Sequence, residues 1–308
     1  MEMENITEIL NDALEYGRKY ISKGNVATYI PELAKVDKDS LGISLVTIAG
    51  GRYHVGDWDK EFTIQSISKT ISLIFALEHF GPEFVFSKVG MEPSGDPFNS
   101  IAKLETKSKY PSNPFINAGA IAIAGLIADR YKFEDYLKLV HRLCGRNSID
   151  IDENVYMSEN ETGMLNRSMA YLMKNNGIIE GDVEKTLELY FKMCSIKINT
   201  NDLANYASIL ANGGVEIESQ IQLIDKSTIK ILKSLMVTCG MYDGSGEFAI
   251  RVGMPAKSGV GGGIVASSEN KVGIGVFGPS LDSQGNSIGG YHILEYLSNE
   301  LGLHYFSC

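Results

Sequence analysis

The stretch FTIQSISKTISLIFALEHFG, residues 62–81, changes character in its middle. Phe62 and Ile64 alternate as a short strand does. From Ser66 the chain reads as an apolar helix, ended by Gly81-Pro82. At the junction stand Ser66 and, one turn on, Lys69. A serine at a helix start leaves its own N–H unpaired, and that N–H can serve a developing oxyanion. A lysine three residues later lies on the same face, within reach of the hydroxyl. The apolar residues that follow (Ile71, Leu73, Ile74, Phe75, Ala76, Leu77) imply burial, which lowers an ammonium pKa and makes the amine a base. The plainer alternative is a serine N-cap beside a solvated charge. Ser-x-x-Lys recurs at Ser100/Lys103, Ser227/Lys230 and Ser268/Lys271, so the spacing alone decides nothing. Ser227 stands where a helix cap is expected, and Ser268 in a turn between strands.

The chain has 308 residues, enough for roughly two domains. Its net charge of −10, without a basic stripe, argues against a nucleic-acid partner. The longest apolar run, AGAIAIAGLIA at 118–128, is too short to span a membrane and reads as a buried helix. Cys144, Cys194, Cys239 and Cys308 form no CxxC pair, and the acidic start MEMENITEIL has no signal pattern. Reduced thiols and a cytoplasmic location are the expectation. The five histidines are scattered, so neither a metal nor another cofactor is expected.

Outward from the opening stretch, 5–22 has helical periodicity, and GISLVTI-AGG-RYHVG (42–56) is a hairpin signature. Loop residues rich in Pro and Gly follow the apolar helix, among them Gly90, Gly95, Pro97 and Pro111. Segments 116–129, 132–143, 162–176, 182–193, 201–212 and 227–238 read as helices. Then EFAIRVG (247–253), KSGVGGGIVAS (257–267) and KVGIGVFG (271–278) read as three strands, and 289–301 as a last helix. Pairing the terminal strands gives an α/β fold: a mixed sheet flanked by the terminal helices, with an inserted all-α domain. The expected division is 1–65 with 245–308 as the sheet domain and 66–244 as the helical domain, with the active site between them.

Lys257-Ser258-Gly259 opens one of the late strands. Lys-Ser/Thr-Gly on a strand is the partner of Ser-x-x-Lys in serine β-lactamases and penicillin-binding proteins, where the strand backbone can supply a second oxyanion donor. The alternative is a strand whose glycines only permit close backbone packing. Gly273–Gly278 matches GxGxxG but alternates like a strand and is followed by Pro279, so a dinucleotide site is rejected. No GxSxG elbow supports a Ser-His-Asp triad.

The ordered blocks resemble the serine-dependent glutaminases over nearly the whole chain. They are Tyr29-Ile30-Pro31-Glu32-Leu33-Ala34, Gln65-Ser66, Glu92-Pro93-Ser94-Gly95, Asn113-Pro114 with Asn117-Ala118-Gly119-Ala120, and Ser158-Glu159. They continue through Tyr190-Phe191, Cys194-Ser195, Leu210-Ala211-Asn212-Gly213-Gly214, Cys239-Gly240-Met241-Tyr242-Asp243 and Pro255-Ala256-Lys257-Ser258-Gly259-Val260. The resemblance implies a β-lactamase-like fold, a homo-oligomer, and hydrolysis of the L-glutamine side-chain amide to L-glutamate and ammonia. It implies Ser66 as nucleophile, Lys69 and Tyr242 as proton-transfer partners in either order, and the N–H groups of Ser66 and Val260 as the oxyanion hole. Tyr29, Gln65, Asn117, Glu159, Asn166 and Tyr190 would surround the bound amino acid. Its ammonium needs an anion, which Glu159 offers, and its carboxylate needs donors, which Asn117, Asn166 and Tyr29 offer. A cation near Tyr242 would lower the phenol's pKa. The blander roles are a helix-start acid for Glu159, a helix cap for Asn117 and a core aromatic for Tyr190.

Relatives often carry Asp-Arg before the asparagine; here Met164-Leu165 precede Asn166, and Arg167 follows it. Seven residues separate Glu159 from Asn166, two turns of one helix, so both can face the pocket. The missing pair puts the bracing of that helix in question. Two alternatives therefore stay open: a β-lactamase-like or penicillin-binding serine acyl hydrolase, and a catalytically weakened glutamine-binding protein.

Overall fold

The computed structural model describes residues 5–94 and 110–307. The Ser100/Lys103 pair, Gly95, Pro97 and Cys308 lie outside the described residues.

The hairpin forms as the sequence implies, from β1 (Gly42–Thr47) and β2 (Arg52–Gly56), with Gly50 at φ 91° in the turn. Among the described residues the main sheet has five strands in the order β2-β1-β7-β6-β5, with β5 at Ala256–Ser258, β6 at Gly263–Ser268 and β7 at Val272–Phe277. β1 pairs with β7, Gly42 opposite Phe277, so both ends of the chain build one sheet. Among the described residues every pairing in it is antiparallel rather than mixed; tight turns join β1 to β2 and β5 to β6 to β7, and β1 meets β7 from the far end of the chain.

Helix α1 (Ile6–Arg18) covers one face of this sheet together with the last helix. Ile6, Leu10 and Leu14 point at Ile43, Leu45 and Ile274 because they recur at helical spacing. A helix at Thr200–Ala211 covers the other face. Gly273 and Gly275 let it approach, since a Cβ on either would meet the backbone of Ser208 or Thr200. The first two glycines of GIGVFG thus serve helix–sheet packing.

The helical part is built around α2 (Ser68–Phe80), whose residues Ser68–Leu77 are all buried. It is surrounded, which is why it is apolar on every side. After α2 come α3 (Pro82–Phe86), α4 (Asn117–Ala128), α5 (Phe133–Cys144), α6 (Glu153–Thr162), α7 (Met164–Asn175) and α8 (Val183–Cys194). The helix on the sheet, Thr200–Ala211, is α9, followed by α10 (Lys226–Cys239), α11 (Ser245–Arg251) and α12 (Ile288–Glu300). A two-residue ribbon, β3 (Phe62–Thr63) with β4 (Lys197–Ile198), ties the lead into Ser66 to the end of α8. Among the described residues, no helix is long and apolar enough to cross a membrane.

Four local expectations are corrected. EFAIRVG is the later part of helix α11 with the two residues that follow it, not a strand. Phe248 and Val252 are buried one helical turn apart, while Ile250 is 80% exposed, so the apparent alternation of three apolar residues is accidental. KSGVGGGIVAS is two strands, parted by a turn with Gly262 at φ 100°. The segment around Asn166 is two helices broken at Gly163, so Glu159 and Asn166 do not share a helix. The cap of α10 falls at Asp225, not at Ser227.

Candidate active site

Ser66 lies in a 3₁₀ turn, Gln65–Ile67, and α2 begins only at Ser68, so Ser66 is not the helix cap. Gln65 has φ 47°, a left-handed backbone that costs a non-glycine residue about 1 kcal/mol or more. Side chains hold the turn: Ser68 Oγ donates to Gln65 O at 2.7 Å and Thr70 Oγ1 to Ile67 O at 2.7 Å. Among the described residues, the Ser66 N–H has no backbone acceptor.

Lys69 is 1% exposed. Its Nζ donates to Asn117 Oδ1 at 2.7 Å and to Phe115 O at 3.1 Å, and none of its hydrogen bonds goes to Ser66. Burial brings its pKa down to about 8. Asn117 is the first residue of α4, but its side chain does not cap that helix. It turns to Lys69 and donates from Nδ2 to Asn166 Oδ1 at 3.2 Å. Asn113 instead organises the helix start, its Oδ1 accepting from the N–H groups of Phe115 and Ile116 at 3.0 and 3.2 Å.

The Lys257-Ser258-Gly259 strand passes alongside the Ser66 turn. A Cβ on Gly259 would sit 2.8 Å from Ile64 O and 3.5 Å from Ser66 N. Close backbone packing and proximity to Ser66 are therefore one feature. Lys257 is fully buried, donates to Ser258 O at 2.6 Å, and lies 4.5 Å from the ring centre of Tyr242. Burial, then the neighbouring Lys69, pushes its pKa well below the ordinary lysine value. Tyr242 stands at φ 52°, the second left-handed residue of the site. Its hydroxyl is hydrogen-bonded to the Ser66 side chain and to the Val260 N–H, and lies 3.4 Å from Ser258 O. Its pKa is raised, not lowered as expected. The phenol is buried, burial outweighs the two hydrogen bonds that favour phenolate, and the lysine beside its ring is Lys257.

A cavity of about 290 Å³ opens in front of Ser66. Tyr29, Gln65, Asn117, Glu159, Asn166, Tyr190 and Val260 all line it, while Lys69 and Tyr242 stand behind that lining. Glu159 is 6% exposed and lies toward the end of α6, so it is not a solvated helix-start acid. Burial raises its pKa against hydrogen bonds from Tyr29 and Gln65. The Tyr29 hydroxyl lies 2.8 Å from Glu159 Oε1 and 2.9 Å from Gln65 Oε1, while the residue as a whole is half exposed. Burial and then Glu159 raise this phenol's pKa too. Tyr190 packs in a core cluster and also lines the cavity. Among the described residues, no cluster of His, Cys, Asp and Glu could hold a metal.

The family profile described as Glutaminase matches residues 24–306. The chain belongs to the glutaminase family. It is 50% identical over 308 residues to glutaminase 2 of Clostridium perfringens, covering 99% of this chain and all of that one. It is 53% identical over 303 residues to the glutaminase of Fusobacterium nucleatum, covering 97% and 99%. A solved Bacillus subtilis glutaminase, the covalent complex with 5-oxo-L-norleucine formed by reaction with 6-diazo-5-oxo-L-norleucine, superposes with a TM-score of 0.89 at 39% identity, covering 98% and 100%. The fold is the β-lactamase-like one that glutaminases share.

Thr162, Gly163, Leu165 and Cys194 also line this cavity, and the sequence did not mark them as lining residues. Gly163 carried a signal, as a lone glycine inside a helical pattern. Cys194 follows Tyr190 by one helical turn, so whatever placed Tyr190 at the cavity places Cys194 there as well. Burial pushes its thiol up to about 12, which keeps it protonated near neutral pH.

Proposed function

We propose that this cavity binds L-glutamine and that Ser66 attacks its side-chain amide. The observation that carries the reading is the Ser66–Tyr242 hydrogen bond at a cavity wall that also holds Glu159, a buried carboxylate that forms no ion pair with Lys or Arg among the described residues. The α-ammonium of glutamine supplies the missing cation, and Asn117, Asn166 and Tyr29 donate to its carboxylate. The Bacillus subtilis relative that forms a covalent complex with 5-oxo-L-norleucine supports covalent chemistry on a glutamine-like ligand. On this reading the cavity lies between a sheet unit, 1–65 with 245–308, and a helical unit, 66–244.

The perturbed groups suggest a division of labour. Lys69, at about 8, is partly neutral near neutrality and is the base. A rotation of its flexible stem carries it from Asn117 to Ser66. Tyr242, held as a phenol, is the acid. Ser66 Oγ bonds to the amide carbon as its proton passes to Lys69. The carbonyl oxygen becomes an oxyanion that the N–H groups of Ser66 and Val260 receive. Tyr242 protonates the nitrogen, the C–N bond breaks and ammonia leaves; the proton on Lys69 restores the phenol. Water then cleaves the glutamyl ester, releasing glutamate and regenerating the Ser66 hydroxyl.

The test is ammonia release from L-glutamine, with L-asparagine alongside. Glutamine is expected to be the better substrate, Ser66→Ala to abolish release while the fold persists, and 6-diazo-5-oxo-L-norleucine to add one adduct mass to the parent and none to the variant. Full turnover or a persisting adduct in Ser66→Ala would sink the nucleophile assignment.

A further inference from the structure

The corner between α6 and α7 sets Glu159 and Asn166 against the same cavity from two helices. No Asp-Arg pair braces that corner here; Met164 and Leu165 are 67% and 45% exposed. Arg167 takes up the task from the next position. Its Nη1 donates to Asn160 O at 2.7 Å and its Nη2 to Asn160 Oδ1 at 2.7 Å, clamping the residue that follows Glu159. Its Nε lies 3.8 Å from Glu184, and its guanidinium lies 5.7 Å from the ring centre of Phe191, both on α8. Gly163 makes this possible, since a Cβ there would come within 2.5 Å of Phe191 Cζ and 2.7 Å of Glu159 O.

We propose that Arg167 is a positioning residue for substrate binding, fixing Glu159 through Asn160. The inference rests on the reading of Glu159 as the partner of the substrate ammonium. A planar fork meeting two acceptors on one residue fixes direction as well as distance, which a lysine cannot reproduce. The interactions join three helices, so their loss frees the corner without emptying the core. Arg167 touches no reacting atom, and its removal is expected to act on KM and to leave kcat nearly unchanged.

The experiment is a double-mutant cycle on glutamine turnover with Arg167→Met and Glu159→Gln. Arg167→Met is expected to raise KM roughly tenfold with kcat within about twofold. In the Glu159→Gln background it should add little, because the carboxylate it positions is gone. Arg167→Lys should fall between parent and Arg167→Met, and it keeps the test available if the methionine variant does not fold. Equal fold-losses in both backgrounds, when each single change raises KM, would overturn the proposal alone. A parental KM in Glu159→Gln would remove the ammonium reading and the proposal with it.

Discussion

Asn117 Oδ1 accepts a hydrogen bond from Lys69 Nζ at 2.7 Å, and the same amide donates to Asn166. One neutral side chain thus joins the buried amine to the cavity wall. Neutrality matters, because an anion in that place would hold Lys69 protonated. For the parent, kcat/KM is expected to rise with pH through about 8, as Lys69 loses its proton. Asn117→Asp should move that limb upward by about one unit or more. A pH–rate profile that stays in place would mean that the limb does not report Lys69.

Gly259 tests the approach of the strand to Ser66, the proposed nucleophile. Gly259→Ala puts a methyl group 2.8 Å from Ile64 O, so strand and turn must part by several tenths of an ångström. That is enough to misplace an oxyanion donor. Turnover is expected to drop about a hundredfold for a stability loss of about 1–3 kcal/mol. Near-parental kcat together with a parental urea midpoint would show that the close approach has no catalytic consequence.

Lys257→Met separates stability from activity. The folded-state pKa of Lys257 lies well below the ordinary 10.5. At pH 7 the unfolded chain binds a proton that the folded chain resists, which destabilises the fold. That penalty fades as pH rises toward the unfolded value. Lys257→Met should therefore raise the urea midpoint at pH 7, and its advantage over the parent should shrink as pH climbs toward 10.5. Turnover should fall in the same variant, as Tyr242 loses the amine beside its ring. A gain that grows with pH would contradict the burial argument.

Arg146 holds Asp202, which is 1% exposed, through its Nε and through Nη2 at 2.6 Å; its Nη1 reaches Glu61 at 2.8 Å. Arg146→Met strands a buried carboxylate at the start of α9. The expected loss is about 3 kcal/mol, the low end for a broken buried pair, since Asp202 keeps the Asn199 N–H. An unchanged unfolding midpoint would mean that water replaces the guanidinium without cost.

The outline of the fold was legible because the hairpin, the apolar α2 and the terminal helices each show a period that matches how they pack. EFAIRVG was misread because three apolar residues two apart mimic a strand, and only the neighbouring core decides which of them is left outside. The lining residues were legible through family blocks; from composition alone Asn117 and Glu159 suit blander roles equally well. What the chain order hid was partnership. Nothing local says that Lys69 turns to Asn117, that Lys257 rather than Lys69 faces the Tyr242 ring, or that Arg167 reaches back to Asn160. Each of these contacts depends on how the chain folds back in three dimensions.

The pairing of β1 with β7 sets a timetable for synthesis. Gly42 leaves the ribosome long before Phe277, its partner across the ladder. A nascent chain can pack α2 against its helical neighbours, but β1 must wait, with one edge open, until β7 arrives. Val260 and Tyr242 come just as late. Truncated chains are therefore expected to be both inactive and prone to pair through that edge. The interval between making Ser66 and completing its surroundings is when this protein is most exposed to aggregation.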